Sequence, residues 1–290
     1  MKLQLIWGSW TGSIVPLFIA GLLTPQFTSS VNLVEVYATV TDRTGEPIRD
    51  LTASDFRVSE DGSPQAITTF AAGEYPLSVA IAIDRSFSMG AGKTDRLAMA
   101  KSAARAFVAA LRPDDQVMVV AIGSDTDVAE PLTTNHAAAL AAIDRLDAWG
   151  TTPLYDAMLA ALDAIQPAQG RRALVLLSDG TDRYSETTSA ALLEEARRRD
   201  VLVYPVAMGS ARPPLFAELA TATGGRSFFV QDPRELARTL TTVAHELRSQ
   251  YLLGYTPTRG PSAQAEWRSI EVMVTRPDAR VRAREGYVGK

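Results

Sequence analysis

Residues 77–84, LSVAIAID, decide the fold, because a nearly unbroken apolar run leads directly into a carboxylate. Short runs of this kind are typical of strands that are buried on both faces in a parallel sheet. Three similar apolar runs follow along the chain, at residues 117–122, 173–179 and 201–206. We therefore expect four parallel strands in the middle of the protein.

Helical stretches separate these four runs. Their apolar side chains recur every three or four residues, which is typical of helices with one buried face. The predicted helices span residues 97–111, 152–165, 188–199, 214–223 and 233–248. Strands that alternate with helices predict an α/β fold with a doubly wound, mostly parallel sheet that is covered on both sides.

The segments on either side of this region have the texture of β-strands. Val34, Val36 and Val40 alternate with more polar residues, which predicts a strand with one buried face. Since about three strands with a hydrophobic face are needed for a stable sheet, neither flank is sufficient alone. We expect residues 31–75 and 251–290 to pack together as one small β domain, with residues 76–250 inserted between them.

Five arginines give the C-terminal strands a basic character. Their alternate spacing is typical of ordinary solvated strand faces, so we expect them to face the solvent. They are Arg268, Arg276, Arg280, Arg282 and Arg284.

The N-terminal region predicts export. Lys2 is followed by an apolar stretch at residues 3–23, and the next charged residue is Glu35. A positive residue before an apolar core is typical of a signal peptide. The stretch is also near the length of about 20 residues that a single membrane anchor needs. We expect residues 1–30 to be one or the other, and the protein to be periplasmic, membrane-anchored or extracellular.

The overall composition excludes several function classes. The chain of 290 residues has 29 Lys and Arg against 33 Asp and Glu, a formal net charge of −4. This mild negative balance argues against a nucleic-acid partner. The sequence contains no cysteine, which excludes disulfides, thiolate catalysis and cysteine zinc sites.

Oxygen-bearing side chains stand where the predicted strands end. Asp84 closes the first run and Asp179 closes the third, while a pair of threonines precedes the helix expected to start at Pro153. Ligands of doubly wound sheets bind in the crevice at the carboxyl ends of the strands. Carboxylate and hydroxyl oxygens suit hard cations such as Mg²⁺ or Mn²⁺. The candidate ligands are Asp84, Ser86, Ser88, Thr152 and Asp179.

The spacing Asp84-x-Ser86-x-Ser88 resembles the metal-ion-dependent adhesion site of von Willebrand factor type A domains, over residues 76–250. The resemblance implies a Rossmann-like fold and one bound ion. In the family, Ser and Thr hydroxyls bind the metal directly, and the aspartates bind it directly or through water. A further coordination position is filled by an acidic side chain of a partner protein. Thr152 and Asp179 match the threonine and the last aspartate of this site.

The sequence is most similar to a bacterial group called von Willebrand factor A-related domain proteins, which are generally exported. The matching segments include residues 150–157, 177–182, 223–229 and 247–255.

Two residues depart from the family pattern. Phe87 stands where the family usually has glycine, and Thr151 replaces the second glycine of a Gly-Gly-Thr motif. We assign Thr152 as the ligand because it keeps the family's spacing to residues 154–156. Phe87 and Thr151 are then expected at the rim, where an apolar ring could help to grip a partner.

These features predict an exported, metal-dependent protein-binding module rather than an enzyme. Its partner would be an unidentified protein that offers Asp or Glu. The alternative is a metal-assisted hydrolase that acts on phosphate or carboxylic esters through a metal-bound water. That chemistry needs a base, and the two histidines, His136 and His245, have no ligand-spaced neighbour.

Overall fold

The computed structural model describes residues 33–73, 75–90, 95–209, 211–260, 262 and 264–289. All of them belong to one compact unit, Asn32–Lys290. The predicted signal peptide or anchor at residues 1–30 lies outside the described residues. Within the described part of the chain, no helix is long and apolar enough to span a membrane.

The described residues form fourteen strands and seven α-helices. Strands β1–β14 span Val34–Thr41, Phe56–Glu60, Ser63–Gln65, Ile67–Ala72, Leu77–Asp84, Gln116–Ile122, Thr126–Thr133, Arg171–Ser178, Leu202–Ala207, Phe228–Phe229, Tyr251–Tyr255, Glu266–Val274, Arg280–Arg282 and Gly286–Gly289. Helices α1–α7 span Phe87–Gly90, Arg96–Ala110, His136–Asp144, Leu154–Ile165, Ser189–Arg198, Pro214–Thr223 and Leu236–Arg248.

A six-stranded sheet in the order β10-β9-β8-β5-β6-β7 forms the centre of the protein. All neighbouring strands are parallel except β7, which runs antiparallel to β6 at the edge. Every residue of β5 is buried, because its side chains alternate between two helix layers. Ile81 packs towards α2, α3 and α7, whereas Ala80 and Ala82 pack towards α4, α5 and α6. The predicted doubly wound, mostly parallel sheet is confirmed.

The strand order creates a crevice beside β5. From β5 the chain moves to β6 on one side, and it later returns to form β8 on the other side. Ligands of such sheets bind where the strand order reverses, at the carboxyl ends of the strands. The ends of β5 and β8 are therefore the expected position of a site.

The two chain ends form a β-sandwich around the insertion. One sheet has the order β13-β1-β11-β4, and the other has the order β14-β12-β2-β3. Apolar side chains from both ends share one core, which includes Val36, Phe56, Leu253 and Val272. The predicted insertion of the α/β part into a small β domain is confirmed. The limits at residues 75 and 250 stay predictions, since all described residues form one unit.

Strand β1 is buried on both faces, and the expectation of a single buried face is wrong. Tyr37 is 7% exposed and Thr39 is 1% exposed, although both lie on the face predicted to be solvated. Tyr37 packs into the core under the six-stranded sheet. Thr39 accepts a hydrogen bond from Gln250 Nε2 at 3.0 Å. The α/β part covers this face, which local alternation cannot reveal.

Arg268 is likewise not solvated, because it lies inside the sandwich. Its guanidinium is 3.2 Å from Glu60 Oε1, and both side chains are 2% exposed. Glu60 also accepts hydrogen bonds from the hydroxyls of Tyr255 and Tyr287. This buried charge is therefore paired and hydrogen-bonded, as buried charges need to be.

Two further arginines join the sandwich to the α/β part. Arg282 contacts Glu246 at 2.6 Å, and Arg284 contacts Asp200 at 2.9 Å. The solvated position predicted for these two residues is wrong for the same reason as for β1. The expectation holds for Arg276 and Arg280, which are exposed.

The shared core can be tested with a double-mutant cycle across the two chain ends. Val36 and Leu253 are cross-strand partners in β1 and β11, and both are fully buried. Each alanine variant changes the environment of the other residue. In denaturant titrations, we therefore expect the loss of unfolding free energy in the double variant to differ from the sum of the two single-variant losses by at least about 0.5 kcal/mol.

The control cycle combines Val36→Ala with Leu162→Ala. Leu162 is buried in the separate core beneath α4. Its loss should add to that of Val36→Ala within about 0.5 kcal/mol. Strict additivity for the pair Val36 and Leu253 would contradict the strand pairing.

Candidate metal-binding site

Asp84 and Asp179 lie at the crevice between the ends of β5 and β8. Asp84 is the last residue of β5 and is fully buried. Its Oδ1 accepts a hydrogen bond from Ser86 N at 2.9 Å, and its Oδ2 accepts one from Ser178 Oγ at 2.7 Å. Asp179 follows Ser178, the last residue of β8. Sequence analysis missed Ser178, whose only signal was a hydroxyl at the end of a buried strand.

The surroundings of Asp84 disfavour an isolated negative charge. Burial raises the pKa of its carboxyl, and the nearby charge of Asp179 acts in the same direction. The hydrogen bonds from Ser86 and Ser178 oppose this by lowering the pKa. Two carboxylates that share one crevice repel each other unless a cation lies between or beside them.

The two serines of the first motif point their hydroxyls at one another. Ser86 Oγ and Ser88 Oγ are 3.1 Å apart. Ser86 is buried directly after β5, whereas Ser88 is exposed within the short helix α1. Neutral hydroxyl oxygens therefore lie beside the buried carboxylate.

Backbone hydrogen bonds join the first motif to the loop that precedes α4. Phe87 N donates to Gly150 O at 3.0 Å, and Trp149 N donates to Arg85 O at 2.6 Å. This places the Gly-Thr-Thr segment directly alongside the Asp-x-Ser-x-Ser segment. The two motifs are far apart in the sequence and meet only in the folded protein.

Gly150 determines the path of this loop. Its φ is +80°, and a Cβ atom there would lie 2.4 Å from Ser124 Oγ, so a larger residue would clash. Thr151 lies against the same serine, with its backbone N 3.0 Å from Ser124 Oγ. Thr152 is 3% exposed, and its carbonyl accepts a hydrogen bond from Arg183 N. This hydrogen bond links the loop to the segment after Asp179, and the choice of Thr152 over Thr151 as the ligand stays a prediction.

The same segment holds the start of α4. The helix begins at Leu154, and Pro153, which was predicted as a helical residue, is its N-cap residue. Asp182 Oδ1 accepts a hydrogen bond from Tyr155 N at 3.2 Å. Asp156 Oδ2 in turn accepts one from Glu186 N. These contacts fix the two loops relative to each other.

Arg96, which the sequence analysis did not identify, lies beside Asp179. Arg96 Nη1 is 3.8 Å from Asp179 Oδ2 and donates to Ser88 O at 3.3 Å. The Asp179 side chain is 8% exposed, and its Oδ1 accepts from Thr181 N. A protein cation thus already stands next to one of the two carboxylates.

The donor set fits a hard cation, since it contains only carboxylate and hydroxyl oxygens. Hydrogen bonds join Asp84, Ser86 and Ser88 directly, and the charge of Asp179 acts on the Asp84 carboxyl. Thr152 belongs to the neighbouring loop, which is hydrogen-bonded to this segment at Gly150. Within the described residues, no group of three or more His, Cys, Asp or Glu side chains could hold a metal. A metal at the crevice would therefore depend on the hydroxyls as well as on the two carboxylates.

Exposed aromatic side chains lie on the segments that carry the candidate ligands. Phe87 is 61% exposed, and Trp149 and Tyr184 are 41% and 78% exposed; the rim position of Phe87 stays a prediction. Tyr184 has a φ of +71°, which is rare for a bulky residue and often marks a functional segment. Sequence analysis did not identify Trp149 or Tyr184, because their position depends on how the loops meet.

Comparisons with known proteins give a consistent picture. Residues 79–181 match the family model of the von Willebrand factor type A domain. No curated protein matches the chain. A solved von Willebrand factor type A protein from Catenulispora acidiphila superposes with a TM-score of 0.56 at 17% identity, over 78% of this chain and 71% of that one.

Two other solved proteins share the fold at low identity. Proximal thread matrix protein 1 from the mussel byssus has a TM-score of 0.56 and 17% identity, over 65% of this chain and 51% of its own. The PilB minor pilin from Streptococcus sanguinis has a TM-score of 0.52 and 13% identity, over 61% and 62%. The family model thus identifies a von Willebrand factor type A domain at residues 79–181, and the solved structures show that the chain shares its fold.

Proposed function

We propose that this protein is an exported, metal-ion-dependent protein-binding module. Its metal site would hold one Mg²⁺ or Mn²⁺ through Asp84, Ser86, Ser88, Thr152 and Asp179. The bound ion would offer a coordination position to an Asp or Glu of a partner protein. The observation that carries this proposal is the buried Asp84 carboxylate, which shares its crevice with Asp179 and with the paired serine hydroxyls.

The charges of the donor set bear on how an anion would be captured. The two carboxylates balance a divalent ion, and the hydroxyls add oxygens without adding charge. A further anionic ligand would therefore bind through a coordination position that the protein oxygens leave open, rather than through a net charge of the ion and the two carboxylates. This suits reversible binding of a partner carboxylate better than a permanently closed structural site.

The surface around the crevice supports a protein partner. Phe87, Trp149 and Tyr184 expose large rings on the segments that carry the proposed ligands, and aromatic residues are enriched among those that carry binding energy at interfaces. Proteins of the same fold include a byssus matrix protein and a minor pilin. These proteins share only the fold with this chain, but their names describe a pilin and a matrix component rather than an enzyme.

The two histidines do not support the hydrolase alternative. His136 Nε2 is 2.9 Å from the carbonyl of Asp115, which directly precedes β6. This contact therefore lies at the amino-terminal ends of the strands, opposite the crevice. His245 lies on α7, three residues before Arg248, whose guanidinium is 3.8 Å from Asp115. Neither of these imidazoles is placed to activate a water beside Asp84.

Metal binding should stabilise the folded chain, because the ion binds the native state in preference to the unfolded one. At a metal concentration of about 100 times the dissociation constant, the expected gain is about 2.7 kcal/mol. We expect a rise in Tm of several degrees when Mg²⁺ or Mn²⁺ is added to the metal-free protein. Asp179→Ala removes one of the two charges and should abolish this rise.

Asp127→Ala is the matched control for this measurement. Asp127 is an exposed carboxylate in β7, opposite Ala121 near the end of β6, and its partner is Arg85 at 3.4 Å. This variant also removes one negative charge near the carboxyl ends of the parallel strands, and it should keep the full metal response. A wild-type Tm that ignores both ions at millimolar concentration, or a normal response of Asp179→Ala, would refute the proposed site.

Export is proposed from Lys2 and the apolar stretch at residues 3–23. We expect a fusion of residues 1–35 to a reporter that is active only outside the cytoplasm to show activity in a bacterial host. Ile19→Arg interrupts the apolar stretch and should abolish reporter activity. An inactive wild-type fusion, with the reporter recovered in the cytoplasm, would contradict export.

A further inference from the structure

Arg96 is held in place by the start of helix α2. It is the first residue of the helix, and the N-cap residue Asp95 accepts a hydrogen bond from Ala98 N at 2.8 Å. Caps of this kind fix where a helix begins. The guanidinium therefore projects from a defined position towards the crevice.

The guanidinium bridges two of the proposed metal-binding segments. Its Nη1 donates to Ser88 O at 3.3 Å and is 3.8 Å from Asp179 Oδ2. The Arg96 side chain is 35% exposed, so part of it remains open to a ligand from the solvent. The distance from Arg96 Nη1 to Asp179 Oδ2 is longer than a hydrogen bond, so this contact is electrostatic.

The charge of Arg96 changes the balance of the crevice. Asp84, Asp179 and Arg96 together leave one negative charge when no metal is bound. A divalent ion reverses the sign and leaves one positive charge. Arg96 therefore opposes the arriving ion and favours a following anion, because charges a few ångströms apart at a partly exposed site still interact appreciably.

From this geometry we infer that Arg96 is the second cation of the binding site. Without metal, Arg96 pairs with Asp179. With metal bound, Arg96 and the ion together bind the carboxylate of the partner. The inference rests on the proposed function and deepens it, because it defines the partner group as a carboxylate held by two cations. Guanidinium groups are well suited to this task, since their planar donors match the two oxygens of a carboxylate. A neutral oxygen ligand would gain much less from Arg96.

The inference predicts two effects of opposite sign. Replacing Arg96 by an uncharged residue should strengthen metal binding, because a nearby positive charge is lost. The same change should weaken carboxylate binding, because one of the two cations is lost. A purely structural role of Arg96 would weaken both.

The test uses the full chain, with Mn²⁺ as the metal and acetate as the carboxylate probe. Mn²⁺ affinity is measured from the free Mn²⁺ signal in electron paramagnetic resonance. Acetate binding is measured from the broadening of its methyl proton signal by protein-bound Mn²⁺. For Arg96→Gln we expect Mn²⁺ affinity to rise about fivefold and acetate affinity to fall about fivefold.

Two variants complete the experiment. Arg96→Lys keeps the charge and loses the planar fork, so its Mn²⁺ affinity should stay near that of the wild type while acetate binding is only partly restored. Arg105→Gln removes the same charge from α2, where Arg105 pairs with the exposed Asp144. It should behave like the wild type in both measurements.

The outcomes separate this inference from the proposed function. If wild-type protein does not bind Mn²⁺, the proposed metal site is wrong and the role of Arg96 falls with it. If wild-type protein binds Mn²⁺ and acetate, but Arg96→Gln leaves both affinities unchanged or lowers both, only the inference on Arg96 is overturned.

Discussion

The arrangement of the crevice follows from one constraint, the placement of two carboxylates at the ends of adjacent buried strands. Asp84 is fully buried and Asp179 nearly so, and each is next to a strand that cannot move without disturbing both helix layers. Burial and mutual repulsion make this arrangement costly without a compensating cation. The hydrogen bonds from Ser86 and Ser178 reduce that cost and hold the Asp84 carboxylate in one orientation. The fold thus holds two carboxylates in positions where a nearby positive charge stabilises them.

Hydrogen bonds and ion pairs connect this region to the remainder of the molecule. Backbone hydrogen bonds join the three motif loops, and the β-sandwich is joined to the α/β part by buried or half-buried arginine contacts. Close approach at Gly225 shows how tightly the outer edge of the sheet is packed, since a Cβ there would lie 2.0 Å from Val203 O. Ordering the loops before a ligand arrives lowers the entropic cost of binding, and the backbone hydrogen bonds between the motif loops favour such an arrangement.

Much of the fold could be predicted because burial on both faces leaves continuous apolar runs, as in β5 and β8. The edge strand β7 was missed, since TDVAEPLT is half exposed and contains a proline, as edge strands can. Asp84, Ser86 and Ser88 could be proposed because their spacing is local, whereas Thr152 and Asp179 could be proposed from the family resemblance and from the positions of the predicted strand ends. Ser178, Arg96, Trp149 and Tyr184 could not be, because their importance arises only where loops distant in sequence meet. The second buried face of β1 was hidden for the same reason.

The most direct test of the account is an anomalous-difference map from crystals of the full chain soaked in Mn²⁺. The account predicts one strong peak in the crevice, within coordination distance of Ser86 Oγ and Ser88 Oγ and beside Asp179. A partner carboxylate, or a water in its absence, should complete the coordination. A map without a peak at the carboxyl ends of β5 and β8, or with Mn²⁺ bound only elsewhere, would contradict the central claim.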